Sequence, residues 1–172
     1  MFKNRLSINY WLRKLYVSKI FQYLPIKRSF LRKIVFTSIF KSNHWVQDEG
    51  ILPKEHISIS GPGSNINTQQ SENLISSFLI FLENYQIKSL LDMPCGDFLW
   101  MKELLNKKNE IKYLGIDIVD EVIEKNKKKY ENEKIKFSSY DIINFHTKDK
   151  FDLILMRDFF IHTNNSDIKK IL

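Results

Sequence analysis

The chain has 172 residues, of which 43% are hydrophobic and 13% aromatic, so it can form one globular core and is too short for two ordinary domains. Its formal charge of +7 is uneven, because ten of the 27 basic residues precede the first acidic residue, Asp48, and the remainder is slightly acidic. The single cysteine, Cys95, excludes an internal disulfide and a cysteine-based zinc site, and we expect a reducing, cytoplasmic setting.

Residues 1–44 are interpreted as a basic helical arm. Apolar residues recur at helical spacing over 11–24, Pro25 ends that pattern, and a second basic helix is predicted over 30–40. Basic residues interrupt every apolar run, which argues against a signal peptide and a membrane-spanning helix. The arm could lie on the inner face of an anionic membrane, or its apolar stripe could pack on the domain as a lid. Both interpretations stay open.

Residues 45–172 are predicted to form the domain. Thr68 is placed to cap a helix, and from Lys88 onward short apolar runs alternate with amphipathic helices, which is typical of parallel βαβ units. The predicted strands cover 89–92, 111–117, 135–138 and 151–156, with helices over 98–107 and after Asp120, the expected N-cap. The sequence thus predicts an α/β fold, a Rossmann-like parallel sheet of about four strands, which we expect to be incomplete at the C-terminus.

The turn after the first predicted strand carries two acids and a glycine. In an open parallel sheet, ligands bind at the carboxyl ends of the strands. Gly96 permits close approach of the backbone, whereas Asp92 and Asp97 would repel a phosphate. Acids suit a cationic ligand better. S-adenosylmethionine carries a sulfonium and an ammonium, so this turn favours it over a dinucleotide.

Two further acids follow the next two predicted strands. Asp117, which is 25 residues after Asp92, stands where a carboxylate can bind two ribose hydroxyls, although it could also be a plain acid beside a helix. Asp141 could accept a hydrogen bond from an adenine amino group while Ile142 covers the ring, and the alternative is an ordinary loop acid. Three acids at three strand ends predict a single site.

Three segments and a preceding loop carry a family resemblance: LLDMPCGDFLWM, YLGIDIVDEVIEKN, FDLILMRDFFIH and SGPGS. Together they resemble a family of bacterial class I S-adenosylmethionine-dependent methyltransferases whose first motif reads D-x-P-C-G-D-F-x-W-M. The resemblance covers Trp45 to the end of the chain. It departs from the wider class at Pro94 and Phe98, which stand at two glycine positions, and Pro94 removes a backbone N–H donor.

The resemblance implies a site for S-adenosylmethionine. The implied binding residues are Asp92, Cys95 and Gly96 for the methionine end, Asp117 for the ribose, and Asp141, Ile142 and Ile118 for the adenine. Cys95 is interpreted as a small turn residue in preference to a nucleophile, because no histidine lies near it in the sequence.

The segment after the fourth predicted strand is where the transferred methyl group should point. Asp158 and His162 are spaced to share a helical face, and a histidine oriented by a carboxylate could deprotonate a hydroxyl or amine acceptor. These two residues are therefore the catalytic candidates. The alternative is that Arg157 and Asp158 form a structural ion pair and that His162 is merely packed.

The sequence as a whole predicts an enzyme that transfers a methyl group from S-adenosylmethionine to a small-molecule or saccharide-like acceptor. No metal and no nucleic-acid partner are expected. The alternative is a truncated, non-catalytic remnant that holds the cofactor or a partner chain, because members of this class continue through three further strands that complete the substrate side.

Overall fold

The computed structural model describes residues 28–46 and 54–171. Its helices and strands are, in chain order, α1 (Arg28–Lys41), α2 (Gln69–Asn84), β1 (Ser89–Asp92), α3 (Leu99–Lys107), β2 (Lys112–Asp117), α4 (Asp120–Tyr130), β3 (Ile135–Ser139), β4 (Leu153–Leu155) and α5 (Asn165–Ile171). Short 3-10 turns lie at Lys54–His56, Pro62–Ser64, Ile142–Asn144 and Phe160–His162. The helix predicted over 11–24 lies outside the described residues, so its contact with a membrane or with the domain stays a prediction.

The four strands form one parallel sheet in the order β3-β2-β1-β4. Asp92 at the end of β1 is level with Gly115 in β2 and Leu155 in β4, and Asp117 at the end of β2 is level with Ser139. This register brings the carboxyl ends of the strands to one edge. The predicted Rossmann-like α/β fold is confirmed, and the predicted strands differ from the observed ones by at most two residues at either end.

The central strand β1 is buried on both faces, which explains its continuous apolar run. Successive strand residues point to opposite faces. Leu90 therefore packs with Phe98 and Met101 on the face covered by α2 and α3, while Leu91 packs with Ile116 and other apolar residues on the opposite face. The two layers hold the strand ends, and the turns that follow them, in fixed positions.

The helix starts show one confirmed cap and one correction. Thr68 caps α2 as predicted: its hydroxyl accepts a hydrogen bond from the Ser71 N–H at 3.1 Å, and the Ser71 hydroxyl accepts one from the Thr68 N–H at 3.1 Å. Asp120 is not the N-cap of α4, because the helix begins at Asp120 itself. Its carboxylate instead binds the Lys33 ammonium at 2.7 Å and accepts a hydrogen bond from the Ser139 hydroxyl.

Helix α1, the described half of the predicted arm, is packed on the domain. Val35 and Ile39 are each 2% exposed and form an apolar cluster to which Trp45 also belongs. Arg32 in the same helix is buried and pairs with two aspartates of the domain. These contacts fit the lid interpretation for this helix. Among the described residues, no helix combines the length and the apolar character needed to cross a membrane.

Candidate functional site

A cleft opens at the carboxyl ends of the strands, and all the residues implied for cofactor binding, together with the two catalytic candidates, line it. These residues are Asp92, Cys95, Gly96, Asp117, Ile118, Asp141, Ile142, Asp158 and His162. They follow four different strands, so the parallel topology brings them together as expected. Their individual roles are not tested by this placement and stay predictions.

Hydrogen bonds join the turn after β1 to the loop that precedes α2. Gly96 has φ +55°, a left-handed conformation that favours glycine, and a Cβ at this position would overlap the Ser60 hydroxyl. The Ser60 hydroxyl accepts a hydrogen bond from the Asp97 N–H at 2.9 Å. The Asp97 carboxylate in turn accepts hydrogen bonds from Ser58 and from the Ile59 N–H, both at 2.8 Å. We expected Asp97 to suit a cationic ligand, but its carboxylate instead forms hydrogen bonds that hold this loop.

Asp92 is a buried acid at the end of β1. It is 2% exposed and accepts a hydrogen bond from the Tyr113 hydroxyl at 2.8 Å. Burial raises the pKa of Asp92 to about 7, although the Tyr113 hydrogen bond and the charge of Arg157 oppose that rise. A cation bound beside it would favour the carboxylate form.

Asp117 is a second buried acid, one strand away. Its carboxylate accepts hydrogen bonds from the backbone N–H groups of Gly96 at 3.1 Å and Val119 at 3.0 Å. Burial raises the pKa of Asp117 to about 6, and these backbone bonds hold it from rising further. Because each carboxylate oxygen carries two lone pairs, both oxygens retain acceptor capacity for ligand hydroxyls.

Asp141 is engaged more heavily than the sequence suggested. Its carboxylate accepts hydrogen bonds from the Arg32 guanidinium, with Nε 3.0 Å from Oδ1, and from the Ile143 N–H at 3.2 Å. Ile142 beside it is 6% exposed. The adenine contact predicted for Asp141 would therefore have to share a carboxylate that already binds Arg32 in α1.

Cys95 lies in the turn with its thiol buried. The Sγ is 3.6 Å from the Gly96 carbonyl oxygen. Burial, together with the nearby charges of Asp117 and Asp92, raises the pKa of the Cys95 thiol well above its usual range. A protonated thiol is a poor nucleophile, which fits the interpretation of Cys95 as a turn residue.

The segment after β4 departs from its predicted geometry. Asp158 has φ +55°, and the short turn Phe160–His162 begins after it, so Asp158 and His162 do not share a helical face. The Asp158 side chain is 68% exposed and its carboxylate lies 3.5 Å from the Arg157 Nε. The His162 ring packs against Trp45, with 5.2 Å between ring centroids. Both residues line the cleft, but each has the contact that the non-catalytic alternative expects.

Sequence reasoning missed the aromatic lining of the cleft. Phe36 and Phe40 come from α1, where their spacing of four residues puts them on one face, and Trp45 and Trp100 complete the lining. The Arg157 guanidinium lies over the Trp100 ring at 4.9 Å from its centroid. The i, i+4 spacing in α1 was the available signal, but nothing local showed which surface this face would cover.

Residues 90–172 match a family model described as a methyltransferase domain. A search of curated proteins gave no match. Among solved structures, the plantazolicin methyltransferase BpumL in complex with a pentazolic desmethylPZN analog and SAH is 22% identical, with a TM-score of 0.51, over 95% of this chain and 55% of that one. BpumL with a triazolic analog and SAH is also 22% identical, with a TM-score of 0.50 and the same coverage. At this identity the likeness shows the fold, and the chain spans about half the length of these structures.

Proposed function

We propose that this chain binds S-adenosylmethionine and forms the cofactor-binding part of a methyltransferase. The observation that carries the proposal is the pair of buried acids, Asp92 and Asp117, at the ends of adjacent parallel strands in one cleft. The family match over 90–172 and the shared fold support it. Buried carboxylates with raised pKa values are typical of ligand sites, because a ligand can provide the interactions that burial removed.

We assign the cofactor an orientation along the strand ends, which the strand order supports. In this proposal Asp92, Cys95 and Gly96 line the methionine end, and Asp117 binds the ribose hydroxyls. The adenine lies toward β3, between Ile118 and Ile142 and close to Asp141. When bound, the cofactor supplies an electrophilic methyl group on a sulfonium. The acids at the methionine end stabilise positive charge there, and the aromatic lining limits access of water.

The acceptor in this proposal is a small molecule or a saccharide-like compound that enters beside β4. His162 is the candidate base that removes a proton from its hydroxyl or amine, and Asp158 is the candidate partner. A second candidate function is a chain that binds the cofactor without catalysing, and the 68% exposure of the Asp158 side chain favours it.

One experiment distinguishes the two candidates. The purified chain is incubated with S-adenosylmethionine and a panel of hydroxyl and amine acceptors, and S-adenosylhomocysteine is measured by mass spectrometry beside a heat-killed control. Cofactor binding is measured on the same preparation. Product above the control, reduced in His162→Phe, supports the enzyme. Binding without product supports the non-catalytic chain, and no binding by folded protein contradicts both.

A further inference from the structure

Two hydrogen-bond donors in the cleft have no acceptor among the residues that the structure describes. They are the Nη1 of Arg157 and the indole Nε1 of Trp45, both buried, and neither has a hydrogen-bond partner within residues 28–46 and 54–171. Both side chains line the cleft. Buried donors are nearly always paired in folded proteins, because leaving one unpaired costs about 1–3 kcal/mol. Two such donors in one cleft point to a ligand group that accepts hydrogen bonds.

The same glycine turn lies against both donor residues. A Cβ on Gly61 would be 3.8 Å from the Trp45 Cβ, so the loop passes close to Trp45 at this residue. The Arg157 Nη2 donates a hydrogen bond to the Gly63 carbonyl oxygen, and a Cβ on Gly63 would lie only 2.9 Å from that nitrogen. The loop segment 61–63 therefore contacts both Trp45 and Arg157, and both side chains line the same cleft.

The charge of Arg157 identifies the kind of acceptor. Arg32, which also lines the cleft, is bonded to Asp141 and Asp167, each with a contact at 3.0 Å. Within the described residues, the one ion pair of Arg157 joins its Nε to the exposed Asp158 carboxylate at 3.5 Å, and the charge of Asp92 also acts on the guanidinium. Its Nη1 is therefore available for an anion, and guanidinium groups bind carboxylates through strong, charge-assisted hydrogen bonds.

We propose that Arg157 and Trp45 form a subsite that binds a carboxylate group of a ligand. This inference rests on the proposed function and deepens it. The carboxylate has two sources: the amino-acid end of the cofactor or the methyl acceptor. The position of Asp92 is compatible with the first, because Asp92 is level with Leu155 in β4, two residues before Arg157. An ammonium near Asp92 and a carboxylate on Arg157 would together match an amino acid.

The first test compares Arg157→Gln with Lys148→Gln, which removes one positive charge from an exposed loop. Affinity is measured by calorimetry for S-adenosylhomocysteine and for 5′-methylthioadenosine, which has the nucleoside and sulfur but no carboxylate. If the cofactor provides the carboxylate, Arg157→Gln weakens the binding of S-adenosylhomocysteine about ten- to hundredfold and leaves the affinity for methylthioadenosine unchanged. Trp45→Phe, which keeps an aromatic ring and loses the N–H, shows the same pattern with a smaller loss. Lys148→Gln changes neither affinity.

The second test uses acetate, followed by ligand-observed NMR, on the chain with and without S-adenosylhomocysteine. If the acceptor provides the carboxylate, the loaded wild-type chain binds acetate, Arg157→Gln does not, and both nucleosides bind the variant normally. The subsite proposal is overturned if Arg157→Gln weakens the binding of both nucleosides equally. It is also overturned if the variant changes neither nucleoside binding nor acetate binding. A wild-type chain that binds no nucleoside contradicts the proposed function instead. In that case the unloaded chain tests the subsite: acetate binding that Arg157→Gln abolishes supports it, and no acetate binding overturns it.

Discussion

The guanidinium of Arg32 in α1 binds the carboxylate of Asp141, which follows β3, with Nε 3.0 Å from Oδ1. The same guanidinium binds Asp167 in α5 through Nη1, also at 3.0 Å, and Asp167 is fully buried. One arginine therefore ties the helix over the cleft to two segments of the domain. This ion-pair network joins the predicted adenine side of the cofactor site to α1.

Arg32→Ala should destabilise the fold strongly. It leaves the carboxylates of Asp141 and Asp167 without their main cation, and breaking a buried ion pair in this way costs about 3–5 kcal/mol. Lys33→Ala is the matched control, because its pair with Asp120 is exposed and is worth about 1 kcal/mol or less. Urea unfolding followed by circular dichroism measures both. Equal losses for the two variants would show that the Arg32 network does not hold α1.

Gly96→Ala should lower stability by about 2 kcal/mol or more. The left-handed conformation alone costs a non-glycine residue roughly 1–2 kcal/mol, and the added Cβ would overlap the Ser60 hydroxyl. Thermal unfolding of the single variants Gly96→Ala and Ser60→Ala and of the double variant checks the contact. Because Ser60→Ala removes the oxygen that the Cβ meets, the double variant should lose less than the sum of the two. Strict additivity would contradict this close approach.

Asp92→Asn should stabilise the ligand-free chain at pH 8 and have little effect near pH 4. Burial raises the pKa of Asp92 from 3.8 to about 7, so its contribution to stability is present below pH 3.8 and is lost as pH rises through 7. Asparagine mimics the neutral acid and avoids that loss. The midpoint of thermal unfolding should rise by roughly 3 °C or more at pH 8.

Asp152→Asn is a control for which we expect the opposite effect on stability at pH 8. Backbone N–H groups of Lys88 and Ser89, with the Ser89 hydroxyl, lower the pKa of Asp152, so its contribution is present above pH 3.8 and is lost as pH falls through the lowered pKa. This substitution should therefore destabilise the chain at pH 8. If Asp92→Asn lowers the unfolding midpoint at pH 8, as Asp152→Asn should, the assignment for Asp92 is wrong.

The sequence alone was enough for features that depend on local pattern. Alternating apolar runs and helices gave the parallel sheet, and the acids that end β1 and β2 had to meet because parallel strands end at one edge. The Arg32 to Asp141 pair joins residues that are 109 apart, so no local pattern could show it. The prediction that Asp158 and His162 share a helical face was wrong because Asp158 adopts a left-handed conformation, which residue spacing cannot reveal.

The unexpected role of Asp97 has a similar cause. In the sequence it is one of two acids in the first turn, and charge alone made it resemble Asp92. The difference arises from the loop before α2, which places Ser58 and the Ile59 N–H against the Asp97 carboxylate. A segment nearly forty residues upstream thus decides which acid faces the cleft.

The most direct test of the account is a calorimetric titration of the purified chain with S-adenosylmethionine, run beside Asp117→Ala. Asp117 is the buried acid whose carboxylate is held by Gly96 and Val119 at the point proposed for the ribose. We expect saturable binding by the wild type and a loss of about tenfold or more in the variant, with both proteins folded by circular dichroism. Folded wild-type protein that binds no cofactor, or equal affinity in the two proteins, would contradict the proposed site.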